Sequence, residues 1–184
     1  MLLNQAELAR TLGLPSTTTK RYLSLLRAVF LIDLVPAWSN NPTVRLRKAP
    51  KVVINDSGLA ATLRDEPVTM GHLLRDGSLL KNFVATELQK LMSRSGYRLR
   101  LSHYREDRSY EVDFVLERGR RHTVGIEVKA STTLSTADAK GLLRLGEKRQ
   151  TPGYLGVLLY GGGEVMPFGE DVWAVPIAAL WRGF

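Results

Sequence analysis

The chain of 184 residues contains no cysteine, which excludes disulfide bonds and thiolate-bound metals. That absence fits a reducing compartment, and we expect the protein to be cytoplasmic. The three histidines, His72, His103 and His122, show no spacing typical of a zinc site. No apolar run approaches the ~20 residues that a membrane-spanning helix needs. Because the first residues also lack the basic start of a signal peptide, the sequence predicts no contact with a membrane.

Acidic residues are also scarce. Asp and Glu number 18 against 26 Lys and Arg, which gives a formal net charge of +8 and a pI of about 10.0. Such a surface favours an anionic partner, most commonly nucleic acid. The imbalance is greatest in residues 1–60, whose cations are Arg10, Lys20, Arg21, Arg27, Arg45, Arg47, Lys48 and Lys51, and whose acids are Glu7, Asp33 and Asp56. We therefore expect DNA to be a partner of the N-terminal part.

Two short helices are predicted at the start of the chain. Asn4 and Glu7 can form a capping box for a helix over residues 4–12, and the segment 13–15, Gly-Leu-Pro, ends it. A second helix begins at Ser16 and carries an apolar stripe, namely Tyr22, Leu23, Leu25, Leu26 and Val29. In such a helix-turn-helix, Thr18, Lys20 and Arg21 would lie near the end of the second helix that enters the major groove of DNA.

The residues that follow resemble the wing of a winged helix. We predict a strand over residues 30–36, a turn over 39–42 and a returning basic strand over 44–48. Arg45 and Arg47 on this strand are further candidates for DNA contact. Residues 1–64 would then form a small winged-helix domain. Many winged helices bind protein or only separate domains, so both alternatives remain open.

Residues 65–184 show the pattern of a second, α/β domain. After a loop-rich connection over residues 65–78, a strong amphipathic helix over 78–93 carries Glu87. The further predictions are strands over 97–104, 110–129 (a hairpin), 154–160 and 171–176, and helices over 135–148 and 177–181. Gly161-Gly162-Gly163 is predicted as a turn, because no Gly-Lys-Ser/Thr follows it. We therefore expect no ATP site in this chain.

The predicted hairpin carries Asp113 on its first strand and Glu127 and Lys129 on its second. Side chains alternate along a strand, so Glu127 and Lys129 share one face. If the basic turn at residues 118–121 closes the hairpin, Asp113 lies near Glu127, and the two carboxylates could hold one Mg²⁺ or Mn²⁺. A metal so placed polarises a phosphoryl oxygen and activates water, and a lysine steadies the developing charge. The same pattern is also typical of an ordinary half-buried strand with a solvated face.

Taken together, these residues resemble the PD-(D/E)xK nuclease superfamily, whose fold is called restriction-endonuclease-like. The whole chain also resembles the C-terminal domain of unknown function that follows an AAA-type ATPase module in a family of prokaryotic proteins. The segments that carry this resemblance are 8–10 with 20–23, 51–52 with 56–59, 82–88, 104–105, 111–115, 126–131 and 140–142.

The resemblance implies a restriction-endonuclease-like mixed sheet flanked by helices. It implies Asp113 and Glu127 as metal ligands, Lys129 as the catalytic lysine and Glu87 as an accessory acid, while Lys140 could meet a phosphate. It allows two functions. One is a DNA-binding, metal-dependent phosphodiesterase, and the other is a catalytically inactive module that binds DNA or protein and regulates a linked or separate AAA-type ATPase. The chain itself has no Walker A sequence, so we expect no ATPase activity from it.

Overall fold

The computed structural model describes residues 2–65, 69, 71, 76–107, 109–119, 121–149 and 153–181. The helices are α1 (Gln5–Leu12), α2 (Ser16–Ala28), α3 (Pro42–Arg47), α4 (Ser57–Thr62), α5 (Gly77–Arg94) and α6 (Lys140–Lys148). The strands are β1 (Ile32–Val35), β2 (Lys51–Ile54), β3 (Leu99–Arg105), β4 (Glu111–Arg118), β5 (His122–Lys129), β6 (Tyr154–Tyr160), β7 (Met166–Pro167) and β8 (Val172–Pro176). Short 3-10 helices cover Thr136–Ala139 and Ile177–Leu180.

The first N-terminal helix begins and ends as its sequence predicts, and the second begins where it was predicted to begin. The side chain of Asn4 accepts a hydrogen bond from the main-chain nitrogen of Glu7 at 3.1 Å, which caps α1. Gly13 ends this helix in a left-handed conformation with φ of 63°, which glycine adopts without strain. The second helix starts directly after Pro15.

The predicted basic strand over residues 44–48 is wrong. Asn41 caps a short helix there by accepting a hydrogen bond from the main-chain nitrogen of Thr43 at 2.9 Å, so α3 covers residues 44–47 and ends before Lys48. Leu46 is 89% exposed, and the alternation that suggested a strand has no sheet to face. The partner of β1 is β2, which pairs with it antiparallel from Ile32 opposite Ile54.

Most of the apolar stripe of α2 is on the surface. Only Leu23 of the stripe is buried, together with Thr19. The others are exposed by 39% to 62% of their surface, and these are Tyr22, Leu25, Leu26 and Val29. An amphipathic helix normally buries such a stripe, so periodicity alone did not identify the face that packs.

The predicted α/β class and the mixed sheet flanked by helices are confirmed. Six strands pair in the order β3-β4-β5-β6-β8-β7, with β5, β6 and β8 mutually parallel and the other pairs antiparallel. Helix α5 contributes Val84 to a buried cluster that also includes Phe114 and Ile126 of the sheet. Helix α6 contributes Leu142 to a second cluster, which also includes Leu158 of β6. The two-residue strand β7 was not predicted, because it is too short to show a period.

Residues of the N-terminal region belong to the buried cluster beneath α5. Val35 and Val53 belong to the same buried cluster as the apolar residues of α5. The main chain at Pro36 and Trp38 also pairs with the edge strand β3: His103 donates to Pro36 at 2.9 Å and Trp38 donates to His103 at 2.6 Å. The N-terminal segment is therefore packed on the sheet as well as tethered to it. Among the described residues, no helix is both long and apolar enough to cross a bilayer.

We expect Gly141→Ala to lower the free energy of unfolding by about 3 kcal/mol, at the upper end of the cost of overpacking. The added methyl group would overlap the main-chain carbonyl of Glu111, so α6 could no longer approach β4 so closely. The matched control is Gly163→Ala, whose added methyl group meets no atom within 4 Å. Urea denaturation of both variants measures the difference, and equal stabilities would contradict the close helix-to-strand contact.

Candidate functional site

The site is built on an irregularity in β4. Between the pairs Ser102–Val115 and Tyr104–Val112, β3 has one residue, His103, whereas β4 has two, Asp113 and Phe114. An extra residue of this kind is a β-bulge, which redirects side chains and is common beside functional sites. Phe114 points into the cluster beneath α5, while Asp113 is only 1% exposed.

The structure places Asp113 directly beside Glu127. The main-chain nitrogen of Asp113 donates to Glu127 Oε2 at 3.2 Å, and Asp113 Oδ2 accepts from the main-chain nitrogen of Val128 at 3.1 Å. Ile126 and Val128 pack in the cluster beneath α5, so alternation turns Glu127 toward the opposite face of β5. The predicted hairpin therefore brings the two carboxylates together.

Two lysines occupy the remaining oxygen of Asp113. Lys51 Nζ lies 3.1 Å and Lys81 Nζ 2.9 Å from Asp113 Oδ1. Lys51 comes from β2 and also pairs with Glu111 at 2.9 Å, whereas Lys81 comes from α5 and lies 4.0 Å from Glu127 Oε1. Asp113, Lys51 and Lys81 also line one small cavity of about 90 Å³.

These contacts shift the pKa values of the two carboxyl groups in opposite directions. Burial favours the neutral acid, but the ammonium groups of Lys51 and Lys81 hold the pKa of Asp113 below its ordinary value. Burial and the carboxylate of Asp113 raise the pKa of Glu127 to about 7. Burial opposes the charge of Lys81 as well, but Asp113 and Glu127 raise the pKa of Lys81, so it remains an ammonium.

Lys129 lies on the other side of Glu127. Its ammonium group is 3.4 Å from Glu127 Oε1 and 3.2 Å from Asp138 Oδ1. Burial opposes the charge, but the two carboxylates raise the pKa of Lys129 above its ordinary value. Lys129 is therefore a permanent cation at neutral pH, held between β5 and the 3-10 helix before α6.

The expected Mg²⁺ or Mn²⁺ does not fit these side chains. Mg²⁺ requires about six oxygen ligands in octahedral geometry. Within the described parts of the chain, no three acidic or histidine side chains converge as a metal site would require. The Asp113 carboxylate already faces Lys51 and Lys81, and Lys129 faces Glu127. A divalent cation would have to displace Lys81 and then stand beside two like charges.

Glu87, the predicted accessory acid, makes its contacts elsewhere. It pairs with Lys90 at 2.6 Å and accepts a hydrogen bond from the indole of Trp181 at 3.0 Å. No hydrogen bond or ion pair joins it to Asp113 or Glu127 in the described residues. The residue of α5 that reaches the site is Lys81, almost two turns earlier, and Lys51 was equally unexpected. Their only sequence signal is a lysine placed beside buried apolar positions.

The predicted DNA-contacting residues fall into two groups. Lys20, Arg21, Arg47 and Lys140 are exposed, Thr18 is half-buried, and no side-chain hydrogen bond or ion pair engages them within the described ranges. Arg45 instead serves the fold, because it pairs with the buried Glu117 at 3.2 Å and lies over the ring of Trp38. Trp38 donates its indole N–H to the same carboxylate at 3.0 Å.

Comparison with protein families places most of the α/β region in one family. Residues 76–180 match a domain of unknown function, DUF4143. The chain belongs to the DUF4143 family. Residues 1–69 match a second domain of unknown function, DUF8612.

Two curated relatives of this DUF4143 chain are uncharacterized proteins of Mycobacterium tuberculosis and Mycobacterium bovis. Each is 28% identical over 179 residues, which cover 95% of this chain and 38% of the relative. The chain therefore spans well under half the length of these relatives. No solved structure matches it.

We expect Lys51→Met to lower the free energy of unfolding of this DUF4143 chain by about 3–5 kcal/mol, because it removes one partner of a buried ion pair. The Lys51 side chain is only 11% exposed and contacts both Glu111 and Asp113. Lys20→Met, which removes an exposed lysine, is the matched control. Chemical denaturation measures both, and a loss below about 1 kcal/mol for Lys51→Met would mean that Lys81 alone neutralises Asp113.

The stability should also fall in acid because of His103. This buried histidine, opposite the bulge, places Nε2 3.1 Å from the carbonyl oxygen of Ala49, and burial and the charge of Lys51 lower the pKa of His103 from 6.5 to about 4. Between these values the unfolded chain binds a proton that the folded chain rejects, so stability present above pH 6.5 is lost as the pH falls toward 4.

The loss attributable to His103 should be on the order of 3 kcal/mol across that window. The variant His103→Gln keeps a neutral donor for the Ala49 carbonyl but does not titrate. Its unfolding free energy should therefore fall less steeply with acid than that of the wild type. Urea denaturation at a series of pH values makes the comparison, and parallel profiles would show that His103 is not responsible.

Proposed function

We propose that this chain is a DNA-binding module with a restriction-endonuclease-like domain that does not hydrolyse DNA, and that it works with an AAA-type ATPase. The observation that carries the proposal is the pairing of Asp113 with Lys51 and Lys81 at 3.1 and 2.9 Å. A carboxylate neutralised in this way is a poor ligand for a metal ion. Without the metal, the pair of carboxylates has no electrophile with which to polarise a phosphodiester.

Helix α2 supports DNA as the ligand. Lys20, Arg21 and Arg27 recur at intervals that place them along one exposed side of the helix, together with Thr17 and Ser24. None of these three cations has a side-chain ion pair in the described structure, so their charges are available to phosphates. Thr18 lies on another side, beside Tyr22 and Leu25, so we assign phosphate contact to the cations alone.

The proposal also assigns a fold type to the N-terminal and C-terminal regions. We infer that residues 2–64 are a winged-helix variant in which β1 and β2 form the wing and α3 replaces the expected basic strand. The β4–β5 hairpin, with its Asp113 and Glu127-Val128-Lys129, supports a restriction-endonuclease-like ancestry. The resemblance to the domain that follows AAA-type ATPase modules supports the ATPase as the functional partner.

A second candidate function rests on the exposed apolar side of α2. Tyr22, Leu25 and Val29 are each more than half exposed and lie along one side of the helix. An exposed apolar patch of this kind commonly marks contact with protein. The occupant we propose is the ATPase, because more than half of each longer relative lies outside the matched region. DNA and the ATPase would then contact different sides of one helix.

We expect the double variant Lys20→Gln/Arg21→Gln to bind duplex DNA about tenfold more weakly or worse, because two phosphate contacts are lost. The slope of log affinity against log salt should decrease in magnitude by about two. Fluorescence anisotropy of a labelled duplex across a range of salt concentrations measures both quantities. The wild type should leave the duplex intact in Mg²⁺ or Mn²⁺.

The matched control is Lys90→Gln/Arg94→Gln, which removes the same charge from the surface of α5. If both double variants lose affinity equally, α2 is not the DNA contact. That result would favour protein docking as the function of α2. Metal-dependent cleavage by the wild type that Asp113→Ala abolishes would instead establish hydrolysis and overturn the non-catalytic assignment.

A further inference from the structure

Lys81 stands where a metal shared by Asp113 and Glu127 would have to bind. Its ammonium group is 2.9 Å from Asp113 Oδ1 and 4.0 Å from Glu127 Oε1. The side chain is 38% exposed and approaches from the first turns of α5, where it lines the same small cavity as Asp113. Lys51, by contrast, is buried and is also tied to Glu111.

The two lysines therefore have different roles. Lys51 has two carboxylate partners and a side chain that is 11% exposed, so it belongs to the packing of β2 against β4. Lys81 contacts Asp113 from the solvent side, and its removal would open the carboxylates to water. The neighbouring residues of α5, Leu80 and Asn82, would still hold the helix, because Leu80 is in the core and Asn82 hydrogen-bonds the main chain of Ile54 at 2.8 Å.

We infer that Lys81 is a resident cation which takes the place of a divalent metal, and that its side chain lowers the affinity of the Asp113 and Glu127 carboxylates for Mn²⁺. The inference rests on the proposed non-catalytic function and adds the residue responsible. Replacing Lys81 by glutamate would remove the competing charge and supply a third carboxylate to Asp113 and Glu127. Cation affinity in oxygen sites rises with the number of charged ligands. The substitution should therefore raise the affinity for Mn²⁺ both by removing a cation and by adding a carboxylate ligand.

The test is a Mn²⁺ titration of the purified chain, with free Mn²⁺ measured by electron paramagnetic resonance. The wild type should bind Mn²⁺ only weakly, and Lys81→Glu should bind at least about tenfold more tightly, as expected from the added ligand charge. Lys81→Gln, which only removes the cation, should show a smaller gain. The gain of Lys81→Glu should disappear in the double variant with Asp113→Asn.

Arg94→Glu is the matched control, since it makes the same charge reversal in the last turn of α5. It should bind Mn²⁺ no better than the wild type. Circular dichroism and thermal unfolding establish that each variant is folded. If Lys81→Glu does not fold, the smaller gain of Lys81→Gln and its loss with Asp113→Asn carry the test.

The inference is overturned if the wild type binds Mn²⁺ as tightly as the Lys81 variants, or if folded Lys81 variants gain nothing. A gain that survives Asp113→Asn would also overturn it, because the metal would then lie elsewhere. These outcomes are distinct from failure of the proposed function, which is decided by the anisotropy and cleavage of DNA with the unmodified chain. A wild type that binds DNA without cleaving it, beside Lys81 variants that bind no Mn²⁺, would refute only the role of Lys81.

Discussion

The buried carboxylate of Asp113 is the constraint around which this molecule is organised. A charge with 1% exposure is costly unless it is paired and hydrogen-bonded. Three segments supply its partners: β2 provides Lys51, α5 provides Lys81, and the adjacent strand β5 provides the main chain of Val128. The position of each segment is therefore tied to one side chain at the bulge of β4. Buried pairs of this kind often add little stability compared with an apolar core, but removal of one partner is strongly destabilising, because it leaves an uncompensated buried charge.

Glu117, a second acidic residue of β4, is also buried and paired with cations. Its carboxylate accepts hydrogen bonds from Trp38, Arg45 and Arg149. Asp113 and Glu117 thus each bind a cation of the N-terminal segment, Lys51 in one case and Arg45 in the other. Part of the basic excess of residues 1–60 therefore forms ion pairs within the protein. Among the described residues of this segment, the exposed cations left for an external anion are Arg10, those of α2 and Arg47.

Local patterns predicted much of this fold. The capping signal at Asn4, the apolar run at residues 154–160 and the paired strands on either side of the basic turn all gave elements that the structure contains. The strand predicted over residues 44–48 was wrong because alternating apolar and basic residues fit a strand as well as a short helix. The site was predictable only in part. Asp113 and Glu127 were found because strand pairing is local, whereas Lys51 and Lys81 reach the site across long separations that no short motif encodes. The family resemblance implied Glu87 as an accessory acid, but its position on α5 brings its carboxylate to Trp181.

The pairing of residues 36–38 with β3 has a consequence for the behaviour of the sheet in solution. A sheet edge with free N–H and carbonyl groups is a template for pairing with another molecule. Here one edge is covered by the main chain at Pro36 and Trp38, and the opposite edge ends in the two-residue strand β7. This pairing covers β3 at His103, and we expect removal of the N-terminal segment to uncover that edge and favour self-association.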